Sequence, residues 1–467
     1  MARTLLVLVF ATIGTAWTPA APALGQTATS SEALTLPQLV QLALKQNRLI
    51  KIDEARVKEA EALVGFAAAQ AYPQFGGRLL FGGPVSEAKT TVINDVSTLT
   101  DASYEGDFNF GDLGVTLRMQ ATGFVPIFTF GKLSTARAAA EAVVRAAEEN
   151  VHVTEGVVAV NVHRAYWAYQ LTDKFLGSLS DGDKILADVI KKVEDLLAAE
   201  SDQVTENDRL RLLHARATLQ VRRHEAKDAR DIALTALKLL VSRPMGQPLD
   251  VASGDIEELP PAAPPIAQVI DDAVRFRPEL RALSRVVDAQ EQFVSFRRRA
   301  LFPDLFIGAF LETAITTNAT DHTNPFVYDR FNFFEAGVAL GIQFQLDVFN
   351  KVAQIDQAQA ELETRIAQTA AAAEGVELEV RKIHIEVTGN YEKMEPALKA
   401  YKAGRSWLTA AALAYDIGTG DAGELIDAFL ASATAEADLR RTQYEIQLGR
   451  VDLSRASGTL LIPQGQK

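Results

Sequence analysis

Two periods of apolar residues alternate along this chain. Val338, Leu340, Ile342, Phe344, Leu346 and Val348 are interleaved with Ala339, Gly341, Gln343, Gln345 and Asp347. That period of two, apolar on one face and polar or small on the other, predicts a half-exposed strand. Val115, Leu117, Met119 and Ala121 alternate likewise with Thr116, Arg118, Gln120 and Thr122. Weaker strand signals start near Phe75 and Leu305, so each half of the chain offers two strands, joined by loops at about 84–111 and 318–333. Elsewhere the helical period rules. Thr35 followed by Gln38 is a capping-box pattern that opens a helix running to about Ala71. Pro73 and Pro303 end the leading helix of each half, because proline disfavours helix in the residue before it. From Ile127 to Arg243 there is no proline, and strong helix formers dominate. This stretch predicts helices of about 65–70 and about 40 residues with a turn near Ser201–Asn207. A helix that long, spanning about 100 Å, points to coiled-coil packing. The plan repeats from Asp347 to about Ser457, with a turn near Gly418–Gly423. Pro396 is expected to kink the second long helix, and Gly177–Asp183 to bend or break the first.

The halves also match residue by residue. Leu36-Pro-Gln-Leu-Val-Gln-Leu-Ala-Leu-Lys45 resembles Ile266-Ala-Gln-Val-Ile-Asp-Asp-Ala-Val-Arg275, and Tyr72-Pro73 corresponds to Phe302-Pro303. Phe130-Gly131-Lys132 matches Phe349-Asn350-Lys351, and Ser242-Arg243-Pro-Met-Gly246 matches Ser454-Arg455-Ala-Ser-Gly458. The matches keep their order, which indicates a tandem duplication. Pro260-Pro261-Ala-Ala-Pro264-Pro265 is a stiff connector between the halves. The expected organisation is a leader at 1–25, a first structural repeat at 26–260 and a second at 261–467.

The leader changes the picture. Arg3 is its one charge, an apolar stretch runs from Leu5 to Trp17, and Ala23-Leu24-Gly25 presents small residues at a cleavage site. This is a secretory signal pattern, and the apolar stretch is short for a membrane anchor. The net charge of −13 lacks the basic footprint of a nucleic-acid binder. The absence of cysteine removes disulfides, thiolate metal sites, cysteine nucleophiles and a lipid-modified N-terminal cysteine. An exported chain without a transmembrane helix can enter a bilayer only as a closed β-barrel. Sixteen of the 23 phenylalanines fall in the windows Phe75–Phe130 and Phe302–Phe349, around the strands. Clustered aromatics and alternating faces suit a membrane barrel, although a soluble sandwich alternates too. Four strands cannot close alone, whereas three copies would supply twelve.

The leading Leu34-Thr-Leu helix, the helix-ending Pro73 and Pro303, Val125-Pro126-Ile127-Phe128-x-x-Gly131, Tyr415-x-x-Gly418 and the duplication occur in an order that resembles the TolC-like outer membrane efflux protein family. The resemblance covers Leu34 to Gly458. It implies a mixed α and β membrane protein, a homotrimer. A twelve-stranded barrel in outer membrane lipid would continue as a long α-helical coiled-coil barrel through the periplasm. It also implies a periplasmic adaptor (membrane fusion) protein and an inner-membrane pump as partners. The expected function is a tunnel for efflux or type I secretion, gated at its periplasmic tip and doing no covalent chemistry. The alternative is a periplasmic coiled-coil scaffold or adaptor without a barrel, which leaves the period-two segments unexplained.

Candidate chemistry is sparse. Gly418-Thr-Gly420-Asp-Ala-Gly423 is a literal G-x-G-x-x-G, but a dinucleotide site needs a preceding strand and the region before it reads helical. The other reading is a helix–helix turn at a hairpin tip. Glu424 and Asp427 follow at i and i+3 on one helix face. Carboxylates there are favoured by the helix dipole, and three copies about an axis would stack them into a cation-selecting ring. The family resemblance implies that these two line the periplasmic mouth and that Tyr415 helps hold it shut. It also implies a basic residue where this chain has Gly420, which puts that latch in doubt. Asp208 is the nearest counterpart of a latch residue in the first half, against an ordinary capping aspartate. The six histidines show no metal-ligand spacing. No catalytic, cofactor or metal residue is expected. Arg297-Arg298-Arg299 reads as a solvated helix end, with a lipid or interface boundary as the other possibility.

Overall fold

The computed structural model describes residues 33–85, 114–200, 204–317, 329, 331–417 and 419–461. The leader at 1–25, nearly all of the 84–111 and 318–333 loops, and Gly418 lie outside the described residues. The chain runs α1 (Leu36–Gln46), α2 (Arg48–Ala69), β1 (Gln74–Val85), β2 (Gly114–Phe128), α3 (Lys132–Ala198) and α4 (Glu206–Leu240). The same sequence of elements then recurs as α5 (Ile266–Phe276), α6 (Pro278–Arg299), β3 (Asp304–Thr316), β4 (Phe333–Gln343), α7 (Val348–Asp416) and α8 (Ala422–Ala456). Corresponding helices match in length: 11 residues in α1 and α5, 22 in α2 and α6, 35 in α4 and α8.

The leading helix of each half is two helices, not one. Asn47 takes extended backbone between α1 and α2, accepts from Leu49 N at 2.9 Å and so caps α2. Its Nδ2 donates to Leu240 O at the end of α4. Arg277 holds the equivalent joint before Pro278, buried, bridging Glu279 and Glu379 and reaching Ala456 O at the end of α8. The capping box at Thr35 and Gln38 is formed.

Helices α3 and α7 extend 67 and 69 residues, about 100 Å each at ~1.5 Å per residue. Both rods are continuous through the places where a kink, or a bend or break, was expected. Gly177–Asp183 stays helical in α3, where Gly182 is buried beneath Phe429 of α8, and α7 continues through Pro396. Packing of Gly182 against α8 offsets the local cost of glycine there. Each rod forms a hairpin with the helix that follows it. The two hairpins meet near their tips around Leu186, Ile190, Leu212, Ala411, Leu425 and Ala428. A second core, around Leu39, Ile50, Val158, Val162, Leu237 and Ile256, ties α1 and the 249–256 segment to α3 and α4.

The four strands form one antiparallel sheet in the order β1-β2-β3-β4. Both ends are open edges. Strand β4 stops at Gln343, so Phe344 to Asp347 form a connector rather than the continued strand their alternation predicts. The sheet–helix joint is pinned by charge. Lys132 pairs with Asp304 at 2.8 Å, Arg299 donates to Phe130 O, and Arg297 donates to Gln354. Arg297 and Arg299 thus anchor the joint, while Arg298 and Arg299 remain exposed at the helix end. Gly131 sits at φ +82° beside the Arg299 guanidinium, a left-handed conformation that strains any other residue.

Candidate functional sites: the sheet faces and the hairpin tips

The sheet has two unlike faces. Register places Phe75, Leu79 and Phe81 of β1 on the same side as Leu117 and Met119 of β2, Ile307 and Leu311 of β3, and Phe334, Val338 and Leu340 of β4. Most are widely exposed, Phe75 at 84% and Val338 at 77%. The opposite side carries Arg78, Thr116, Arg118, Gln120, Glu312 and Glu335. There Arg118 and Gln120 both donate to Glu312, and Thr316 donates to Thr116. Such a sheet shows lipid one face and water the other. Several phenylalanines break the expected division. Phe124, Phe306 and Phe310 lie on the polar side.

At the far end of the hairpins the G-x-G-x-x-G segment joins α7 to α8. No strand precedes it, so the dinucleotide alternative fails and the helix-turn reading holds. Thr419 N and Gly420 N both donate to Ala414 O, which closes the last turn of α7. A Cβ on Gly420 would lie 2.7 Å from Tyr415 N and 2.8 Å from Ala414 C. The turn therefore excludes any side chain here, including the basic residue the resemblance implies. Positive charge arrives from the other hairpin instead. Lys192 of α3 pairs with Asp416 at 3.0 Å and stands 4.9 Å from the centre of the Tyr415 ring. Arg211 of α4 lies 3.7 Å from Asp427, close over Gly423. Sequence periodicity gave no pointer to Lys192 or Arg211, because each looks like one more surface cation on a solvated helix.

The predicted tip residues are brought together unequally. Tyr415 is buried in the core between the hairpins, and its hydroxyl finds no hydrogen-bond partner among the described residues. Burial, then the nearby Asp208 and Asp416 carboxylates, raise its pKa above the usual phenol value. Asp208 is engaged as the third residue of a capping box, accepting from Thr205 N at 2.9 Å and Thr205 Oγ1 at 2.7 Å. Glu424 and Asp427 share the exposed face of α8, while Leu425, Ile426 and Ala428 face the core. Trp407 Nε1 donates to Glu424 at 3.5 Å. Arg211 thus offsets part of the acidic charge that the spacing suggests. Among the described residues no group of side chains could hold a metal ion, and no helix is long and apolar enough to cross a membrane.

Comparison with known proteins agrees with this geometry. A family model described as outer membrane efflux protein matches residues 39–243 and 269–459. The outer-membrane channel OprN superposes with a TM-score of 0.72 at 18% identity, covering 91% of this chain and 90% of that one. VceC of Vibrio cholerae gives 0.69 at 16% identity, covering 91% and 96%. The open state of the Neisseria gonorrhoeae MtrE channel gives 0.69 at 17%, covering 91% and 89%. At these identities the likeness is one of fold. No curated protein matches the sequence significantly.

Proposed function

The chain belongs to the outer membrane efflux protein family and resides in the outer membrane, and from that premise we propose that three copies form one gated export duct. Their sheets join edge to edge, β4 of one copy to β1 of the next, as a twelve-stranded barrel with the polar faces inward. Their helices continue it as a periplasmic tunnel that ends at the hairpin tips. Cargo enters from a periplasmic adaptor and an inner-membrane pump, which supplies the energy. The chain itself does no covalent chemistry.

One observation carries this reading. The four-stranded sheet exposes an unbroken apolar face and leaves both edges open. Unpaired strand edges are intolerable in hydrocarbon, so such a sheet becomes stable there only when its edges close on other copies. Strands of 11–15 residues, apart from the end of β1, are long enough for the apolar band of an outer-membrane barrel.

The gate reading rests on the tips. In each chain Lys192–Asp416 and Arg211–Asp427 tie one hairpin to the other, and Tyr415 fills the gap between them. Drawing the hairpins apart breaks these contacts and opens the mouth. Glu424, the less compensated carboxylate, faces the passage with Asp427 and favours cations. Native mass measurement of the detergent-extracted outer-membrane fraction tests the assembly, with a trimer expected. Single-channel recording then tests the ring: Glu424→Gln with Asp427→Asn should lower the cation-to-anion permeability ratio several-fold. A monomer in the soluble periplasmic fraction sinks the duct, and an unchanged ratio sinks the ring.

A further inference from the structure

The polar face of the sheet carries a feature that a water-filled lumen does not require. On β3 that face reads Asp304, Phe306, Gly308, Phe310, Glu312, so two aromatics interrupt the polar positions. Phe124 of β2 joins them, its ring centre 4.8 Å from that of Phe306. The rings lean along the wall over glycines of β4. A Cβ on Gly341 would lie 2.5 Å from Phe306, and one on Gly337 would lie 2.7 Å from Phe310. The glycines thus let the rings lie against the wall, and Phe310 remains 49% exposed.

A second observation adds charge to this floor. Glu312 and Glu335 stand directly opposite each other in register. Like charges in that position repel at a Cβ separation of about 5 Å. Glu312 is answered by Arg118 and Gln120, whereas Glu335, exposed, has no cation partner among the described residues. Arg78 shares the row but stands three strands away at the other edge, about 14 Å at ~4.8 Å per strand. Glu335 is also the diagonal neighbour of Phe310, at about 7–8 Å. Within one copy, a carboxylate pair lacking one counter-cation therefore borders an exposed aromatic floor.

We propose that Phe124, Phe306 and Phe310 with Glu335 form a binding site in the barrel lumen for planar aromatic cations. The cation's ring stacks on Phe310 while its charge relieves the Glu312–Glu335 repulsion. The inference rests on the duct reading, since only a closed barrel makes this face a lumen.

Block of the purified trimer in planar bilayers tests it, with N-methylacridinium as probe. Tetramethylammonium controls for charge without a ring, and naphthalenesulfonate for a ring with the opposite charge. N-methylacridinium should block at the lowest concentration. Phe310→Leu and Glu335→Gln should each raise its half-blocking concentration by about fivefold. Equal block by all three probes or indifference to both lumen substitutions overturns the site while the duct stands. A chain that forms no conducting trimer overturns the duct reading, and the lumen site with it.

Discussion

His163 lies in α3 with its Nδ1 unpartnered among the described residues, and burial lowers its pKa to about 4. The folded protein therefore holds the neutral ring, while the unfolded chain takes up a proton near its ordinary value of about 6.5. Because the folded pKa is the lower one, its contribution is complete above pH ~6.5 and declines as the pH falls toward ~4. The loss approaches about 3 kcal/mol, at ~1.4 kcal/mol per pH unit. His163→Gln should flatten that decline relative to wild type, read as the difference between their denaturation midpoints from pH 7 to pH 4. Equal pH slopes would show that burial does not hold the ring neutral. Gly420 makes a second prediction at this scale. The atoms a side chain would strike, Tyr415 N and Ala414 C, belong to the backbone and cannot swing aside. Gly420→Val should therefore cost about 1–3 kcal/mol and expose the tip turn to protease in limited digestion. A protected tip would mean that the turn yields.

The strands owe their place to alternation, which makes their two faces unequal in tolerance. Leu340→Arg puts a cation on the apolar side and should cost about 2–4 kcal/mol in the bilayer. Thr122→Arg, on the opposite side, should leave assembly close to wild type. The yield of folded trimer in the outer-membrane fraction separates them, and equal yields would contradict the assignment of faces. The helices illustrate where sequence reading stops. Their length was legible because helix formers run without a break, and the element order was legible from matched pairs such as Pro73 and Pro303. The joints at Asn47 and Arg277 were not. Both are held by hydrogen bonds to the ends of α4 and α8, nearly two hundred residues away. Asn47 before Arg48 and Arg277 before Pro278 are cap and start signals that apolar periodicity masked.

Across the whole molecule the hairpins are joined by exposed ion pairs and a shared apolar core. Each pair is worth about 1 kcal/mol or less, being open to solvent. Lys192→Ala with Arg211→Ala should shift the open-to-closed ratio of the tip by up to about thirtyfold per chain. Raising the salt concentration should act in the same direction. Single-channel conductance at low and high salt reads both, and a conductance indifferent to salt and to the double substitution would leave the gate without its clamp.

Period-two and helical spacing, the unbroken runs of helix formers and the internal matches determined the elements, their order and the two-faced sheet. These follow from local sterics and from the requirement that each element bury or expose one side. The same sequence placed Tyr415, Glu424 and Asp427 together at one turn, because they are neighbours along the chain. Only the tertiary structure decided that Arg211 partly offsets the acidic face, that Gly420 admits no side chain, and that Phe306 and Phe310 lie on the polar side of the sheet. Charge compensation and ring placement depend on which residues face each other across helices and strands. Partners such as Arg211 and Asp427 lie far apart in sequence, and no local pattern encodes their meeting.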